Sequence, residues 1–139
     1  NGLGNLVQRV AKMAEGLNLG KLQLAEGTEV NLLNKIEPLI QSFKFNEALE
    51  IIWLEIGQID RYINNKQIWA LPVEEKRKEL RQIILGTEGI KGLRDIAEAL
   101  RPFLPETAEK IEAIFQGPAV KAPERPLFPR LTNLANLPN

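Results

Sequence analysis

Three polar side chains of the first predicted helix have types and a spacing that suit the binding of a nucleotide. Residues 2–17 repeat apolar side chains at three- and four-residue intervals, which predicts one amphipathic helix. On its helical wheel the apolar stripe is centred near about 280°, whereas Asn5, Arg9 and Lys12 lie at about 140°, 180° and 120°. An amide, a guanidinium and an ammonium on neighbouring turns can bind an anion and the edge of a base. The alternative is a solvated helix face with weak surface ion pairs.

Two further features lie at the end of the third predicted helix. Trp69 follows this helix at a helix-to-helix junction, where its indole can stack on an unpaired base or instead pack the corner of a bundle. Arg61 and Lys66 lie on the last turns of the helix, where either can meet a phosphate. For Arg61 the sequence favours a structural ion pair instead, with Asp60 or with an acid of a neighbouring helix as its partner.

The composition of the chain excludes several classes of function. Its 139 residues predict one domain. Its 18 basic and 18 acidic residues give a net charge of zero, which excludes a globally basic nucleic-acid binder but not a local basic patch. The chain has no cysteine and no histidine, so disulfides, thiolate metal sites and the commonest general base are excluded. No apolar run approaches the ~20 residues of a membrane span. We predict no catalytic residue, no metal ligand and no cofactor in this chain, and we expect it to be a piece of a longer protein.

The apolar periodicity predicts an all-α fold, a bundle of about five helices with a Pro-rich, mostly irregular C-terminal tail. The bundle is expected to occupy residues 1–117, and the tail, residues 118–139, to pack partly on it through Leu127 and Phe128. The helices are predicted at about 2–17, 29–43, 46–66, 72–100 and 106–116. Because glycines cluster near 86–89, the fourth helix is expected to kink or break there.

Particular residues of these helices have predicted roles. Thr28 and Asn46 are expected to be N-caps, because their side chains can accept hydrogen bonds from the first turn of a helix. Pro72 is suited to the first helical position. On the third helix, Trp53 borders the apolar stripe and is expected in the core, and Gly57 is expected to allow a neighbouring helix to pack closely.

Several stretches, in this order, resemble the anticodon-binding helical domain of the methionyl-tRNA synthetase family. They are LGNLVQRV at 3–10, FNEALE at 45–50, RYI at 61–63, LRPFLPETAEKI at 100–111 and PLFPR at 126–130. The resemblance covers roughly residues 1–130. It implies a mostly helical bundle attached behind a class I catalytic domain, with the function of recognising the CAU anticodon of methionine tRNAs.

The resemblance also implies which residues carry that function. The family uses an Asn and an Arg one helical turn apart, together with a Trp at a later helix junction, and these positions match Asn5, Arg9 and Trp69. It implies that Trp69 stacks on the first anticodon base, a cytosine, while Asn5 and Arg9 hydrogen-bond to that nucleotide. Two residues depart from the family pattern. Ile68 stands where a proline usually precedes the Trp, and Asp60, where an Asn is often found, is expected to hold Arg61.

The same resemblance sets the expected partners. The chain has no His-Ile-Gly-His type or Lys-Met-Ser-Lys-Ser type signature, so it is expected not to bind ATP or methionine and to be inactive alone. The parent enzyme is expected in the cytoplasm and is expected to use ATP with Mg²⁺. The expected partners of the chain are the tRNA(Met) anticodon loop and the parent's own N-terminal catalytic domain. No binding to a membrane or to DNA is expected. Two alternatives remain open: the anticodon domain of a cysteinyl or valyl synthetase, and a helical protein-interaction module that docks a partner through Trp69 and the Pro-rich tail. An independent enzyme has almost no support.

Overall fold

The computed structural model describes residues 2–22, 32–87, 89–124 and 127, and helices dominate these ranges. The described α-helices, in chain order, are α1 (Gly2–Ala14), α2 (Leu32–Gln41), α3 (Phe45–Lys66), α4 (Val73–Leu85), α5 (Leu93–Leu100) and α6 (Pro105–Ile114), with one 3₁₀ turn, Ile68–Ala70, between α3 and α4. An isolated bridge joins Asn18 and Ala119, and the described ranges contain no β-strand. The all-α prediction is therefore confirmed.

The predicted fourth helix is two helices, which explains why six are described instead of about five. α4 ends at Leu85, and Gly86 follows with a φ of 99°, a backbone conformation that residues other than glycine rarely adopt. The chain then folds back on itself, so that a Cβ atom added at Gly92 would lie 2.5 Å from the backbone nitrogen of Gly86. The expected break near 86–89 is thus confirmed, and its cause is a tight approach of backbone to backbone.

The core is formed mainly by the apolar stripes of the helices, and α5 lies at its centre. α5 contacts α2, α3, α4 and α6, and of its eight residues only Arg94 and Glu98 are not buried. Its Asp95 is buried, and this carboxylate accepts a hydrogen bond of 3.2 Å from the backbone N–H of Leu32. A carboxylate at the first residue of α2 satisfies one of the unpaired N–H groups at that helix start.

Several predicted helix ends and caps are wrong by one to three residues. α1 ends at Ala14, because Gly16 follows in a left-handed conformation (φ 80°). α3 begins at Phe45, so Asn46 lies inside the first turn, and Lys44 takes the N-cap position without a side-chain cap bond. Pro72 precedes α4 as its N-cap residue instead of opening it. Thr28 lies outside the described residues.

Two segments outside the helices complete the core. Leu19 and Leu22 after α1, and Val120, Ala122 and Leu127 after α6, are buried with the helix stripes. The backbone N–H of Leu19 donates to the carbonyl of Pro118 at 2.9 Å, which ties the two segments together. Phe128 lies outside the described residues, and the proposed division of the chain at residue 117 stays a prediction. None of the helices in the described ranges has the length and apolar character needed to cross a lipid bilayer.

Candidate nucleic-acid interface

The junction between α3 and α4 presents Trp69 on the surface. Gln67 ends α3 in a left-handed conformation (φ 48°), and the 3₁₀ turn that follows carries Ile68 into the core, where its side chain is fully buried. Because Ile68 is anchored, the next side chain is directed outward, and Trp69 remains 48% exposed. Burial of Ile68 therefore holds this junction in place. The alternative in which Trp69 packs the bundle corner as a core residue does not fit this exposure.

Arg9 of α1 lies directly against Trp69. Its Cζ atom is 5.2 Å from the centroid of the indole ring, which is within the range of a cation–π contact. Two residues of α3 hold the guanidinium from the other side. Arg9 Nη2 donates a hydrogen bond of 2.7 Å to Asn64 Oδ1, and Arg9 Nη1 is 3.8 Å from Asp60 Oδ1. The orientation of Arg9 is thus set by three groups from two elements.

The expected ion pair between Asp60 and Arg61 is wrong, because the carboxylate of Asp60 pairs with Arg9. Asp60 and Asn64 are one turn apart on the face of α3 that meets α1, whereas Arg61 is about 100° further round the helix. Arg61 is exposed, and no ion pair involves it in the part of the chain that the structure describes. Asn64 is a contact that the sequence analysis missed, although its position four residues after Asp60 places both on one face.

Asn5 and Lys12 lie on the turns of α1 on either side of Arg9, and both side chains are exposed. A residue four positions before Arg9 has its Cβ about 5–6 Å from that of Arg9, so Asn5 shares the Arg9 face. The structure therefore brings Arg9 against Trp69 and presents Asn5 and Lys12 on neighbouring turns of α1.

Lys66 belongs to a second polar cluster, between α3 and α4. Its Nζ atom is 5.4 Å from the centroid of the Tyr62 ring and 3.8 Å from Glu79 Oε1. The Tyr62 hydroxyl donates a hydrogen bond to Glu79 Oε2 and lies 3.4 Å from Gln82 Oε1. Burial, followed by the hydrogen bond to Glu79 and the negative charge of that residue, raises the pKa of Tyr62 to about 12. Lys66 thus joins two helices through Glu79 and Tyr62.

The prediction that Trp53 lies in the core is wrong, because its side chain is 48% exposed. The buried stripe of α3 consists of Ala48, Ile52, Ile56, Ile59 and Ile63. Trp53 is about 100° away from Ile52 on the helix, and no helix of the described ranges buries it. Gly57 does not allow close helix packing either, since a Cβ atom added there would meet only Arg61 Nη1, at 3.4 Å.

The arrangement defines a class of site. A half-exposed indole beside an oriented guanidinium and an exposed amide can stack on an unpaired base and hydrogen-bond to its edge. The described residues contain no group of three or more His, Cys, Asp or Glu side chains that could hold a metal ion. This helical surface thus presents a flat ring, a cation and an amide near one another.

Comparison with curated proteins finds relatives that are methionine–tRNA ligases. The chain is 35% identical over 122 residues to a methionine–tRNA ligase of Clostridium acetobutylicum, and 33% identical over 123 residues to that of Clostridium perfringens. Each match covers 81% of this chain and 19% of the relative. The methionine–tRNA ligase of Listeria innocua is 29% identical over an alignment 163 residues long. This alignment covers 94% of this chain and 24% of the relative. The resemblance inferred from the sequence is confirmed: the chain is related to a segment of methionine–tRNA ligases.

The chain spans about a fifth of the length of the Clostridium relatives that it matches. No family model matches the chain, and no solved structure matches it. The names of the relatives favour the methionine enzyme over the cysteinyl and valyl alternatives.

Proposed function

We propose that this chain is the anticodon-binding segment of a methionine–tRNA ligase, located C-terminal to the catalytic domain of the parent enzyme. The parent charges tRNA(Met) with methionine in the cytoplasm and uses ATP with Mg²⁺, and this segment supplies tRNA recognition without taking part in the chemistry. The similarity to methionine–tRNA ligases over four fifths of the chain supports this proposal. So does the composition, which lacks the histidines of a class I catalytic signature.

The observation that carries the proposal is the contact between Arg9 and Trp69. The indole is held at a junction of helices with about half of its surface exposed, so that a flat base can stack on it. The guanidinium lies over the indole, with its Cζ atom 5.2 Å from the ring centroid, so that Arg9 is close to any nucleotide that stacks on Trp69. In the free protein the hydrogen bond to Asn64 orients Arg9, which lowers the cost of ordering this side chain when RNA binds.

The polar groups around Trp69 are complementary to a cytosine. The edge of cytosine presents an amino donor and two acceptors, the ring nitrogen and the carbonyl oxygen. Arg9 has only donors, which suit the two acceptors, while the carbonyl oxygen of the Asn5 amide can accept from the amino group. Uracil has an acceptor in place of the amino group and a donor in place of the ring acceptor, so the same side chains would leave buried groups unpaired. We therefore assign the first base of the CAU anticodon to this site.

The charge of the chain limits the contribution of phosphate contacts. Around the site, Lys12 and Arg61 are exposed and have no ion pair among the described residues. Each phosphate neutralised on a single strand contributes about 0.7 to the slope of log K against log salt, so a few contacts give a shallow dependence. Binding by this neutral segment is expected to depend on stacking and edge contacts more than on charge.

The test compares an anticodon stem-loop that carries CAU with one that carries UAU, by titration with this chain. We expect tighter binding of CAU, and Trp69→Ala should weaken that binding by about 5- to 140-fold, because stacking on an aromatic side chain is worth ~1–3 kcal/mol. Trp69→Phe should retain part of the affinity. Lys110→Gln, at an exposed position on α6, is the matched control and should bind normally.

Two results would contradict the proposal. One is equal affinity for the CAU and UAU stem-loops. The other is unchanged binding by a Trp69→Ala variant whose circular dichroism shows an intact fold. In the full-length enzyme, the same substitution is expected to lower aminoacylation mainly by raising KM for tRNA.

A further inference from the structure

Trp53 lies on the same face of α3 as the residues that hold Arg9. With about 100° per residue, positions 53, 57, 60 and 64 fall within about 60° of one another around the helix axis. Asp60 and Asn64, which contact Arg9, are therefore in line with Trp53. The distance along the axis from Trp53 to Asn64 is about 16 Å, at 1.5 Å per residue.

The surface between the two indoles is open and carries positive charge. Gly57 has no side chain, and the only group within 4 Å of a Cβ atom added there is Arg61 Nη1, at 3.4 Å. The guanidinium of Arg61 thus lies over Gly57, between Trp53 and Asp60. No carboxylate neutralises Arg61 in the described ranges, whereas Arg9 is paired with Asp60.

An exposed Trp leaves a large apolar surface in contact with water. Burial of one such aromatic side chain removes about 150–250 Å² of surface from solvent. Trp53 on α3 and Trp69 in the 3₁₀ turn that follows α3 are equally exposed, at 48% each. The guanidinium of Arg9 contacts Trp69, and that of Arg61 lies near Gly57, one turn after Trp53. Aromatic side chains alternating with cations along a groove are the pattern by which proteins bind single-stranded nucleic acid.

We propose that Trp53 is a second stacking platform for an unpaired base of the RNA loop that binds at Trp69, and that Arg61 meets a backbone phosphate between the two indoles. The inference rests on the proposed function and extends its site along α3. The axial distance from Trp53 to Asn64 is already about 16 Å, and Trp69 follows the end of α3, so the two indoles bind different nucleotides of the loop instead of neighbours in one stack. Glu50, which is exposed one turn before Trp53, places a negative charge where this surface ends.

The experiment measures the affinity of four variants for the CAU stem-loop. Trp53→Ala should weaken binding by about 5- to 140-fold, and Trp53→Phe should restore most of it, because a smaller ring still stacks. The ratio of CAU to UAU affinity should stay as in the parent chain, since Trp53 does not read the first base. Lys110→Gln, at an exposed position on a different helix, α6, is the control and should bind as the parent chain does. Trp69→Ala is the fourth variant and reports on the proposed function separately.

A second measurement needs no substitution at Trp53. A stem-loop with 2-aminopurine at a loop position outside the first anticodon base should lose fluorescence on binding to the parent chain, because stacking on an indole quenches it. Arg61→Gln should reduce the slope of log K against log salt by about 0.7, the contribution of one phosphate on a single strand. Lys110→Gln should leave that slope unchanged.

The possible outcomes separate the two proposals. If Trp53→Ala binds within twofold of the parent chain while Trp69→Ala is weakened, the second platform is refuted and the anticodon site stands. If neither substitution changes binding, both are refuted. Absence of 2-aminopurine quenching at every tested loop position overturns the second platform even if the Trp53→Ala variant fails to fold.

Discussion

Removal of one hydroxyl, in Tyr62→Phe, tests whether the polar cluster between α3 and α4 stabilises the fold in the way that the structure indicates. The Tyr62 hydroxyl donates to Glu79, whose other oxygen is 3.8 Å from Lys66 Nζ. A hydrogen bond to a charged group is worth ~1.5–3 kcal/mol when well protected, and the partial exposure of this one places it at about 1–2 kcal/mol. For a chain of this length, that loss corresponds to a fall in Tm of roughly 3–8 °C.

The pH dependence of this loss follows from the pKa of Tyr62. Its pKa in the folded chain is raised from 10.0 to about 12, so the folded state favours the protonated hydroxyl. The stabilising contribution is therefore fully present below about pH 10 and is lost as the pH rises through the folded pKa. The shift corresponds to at most about 2–3 kcal/mol, and solvent screening of a half-buried side chain reduces that figure to the 1–2 kcal/mol obtained above.

The assay is urea unfolding of the parent chain and the Tyr62→Phe variant, followed by circular dichroism at pH 7, 9, 10.5 and 11.5. Lysines also titrate in this range, but they do so in both proteins, and the difference in unfolding free energy isolates Tyr62. We expect the difference to be constant up to pH 9 and to shrink above pH 10. A difference that does not change between pH 7 and pH 11.5 would refute the reasoning, because it would mean that the hydroxyl is not coupled to Glu79.

Two further predictions concern a contact in the site and a contact in the fold. Asn64→Ala removes the acceptor of the 2.7 Å hydrogen bond from Arg9, so it should change the free energy of unfolding by less than ~1 kcal/mol but reduce the preference for CAU over UAU. Asn65→Ala is the control. An unchanged preference in the Asn64 variant would show that Arg9 does not need this partner. Gly92→Ala places a Cβ 2.5 Å from the backbone atoms of 84–86, which cannot move aside, and should destabilise the chain by about 3 kcal/mol or more. Gly89→Ala, with nothing within 4 Å, should leave the midpoint of thermal unfolding nearly unchanged, and equal midpoints for the two alanine variants would contradict the packing described.

Much of the fold was predictable because apolar periodicity depends only on neighbouring residues of one helix. The stripe of α1 is buried as its spacing predicts, and Asn5, Arg9 and Lys12 lie outside that buried stripe. The break after Leu85 was also predictable, since the clustered glycines weaken a helix wherever they occur. The proximity of Arg9 to Trp69 was predicted only through the family resemblance, because 60 positions separate them in the chain.

The partners of the side chains were decided by the tertiary structure. A helical wheel places Trp53 beside the apolar stripe, but only the packing of α1, α2 and α5 on α3 determines that no helix covers it. In the same way, Asp60 has both Arg61 and Arg9 as possible partners, and the approach of α1 selects Arg9. A sequence thus determines which faces of a helix are apolar, because this depends on local spacing. Which face is covered, and which charge meets which, depends on the position of other helices that are distant in the chain.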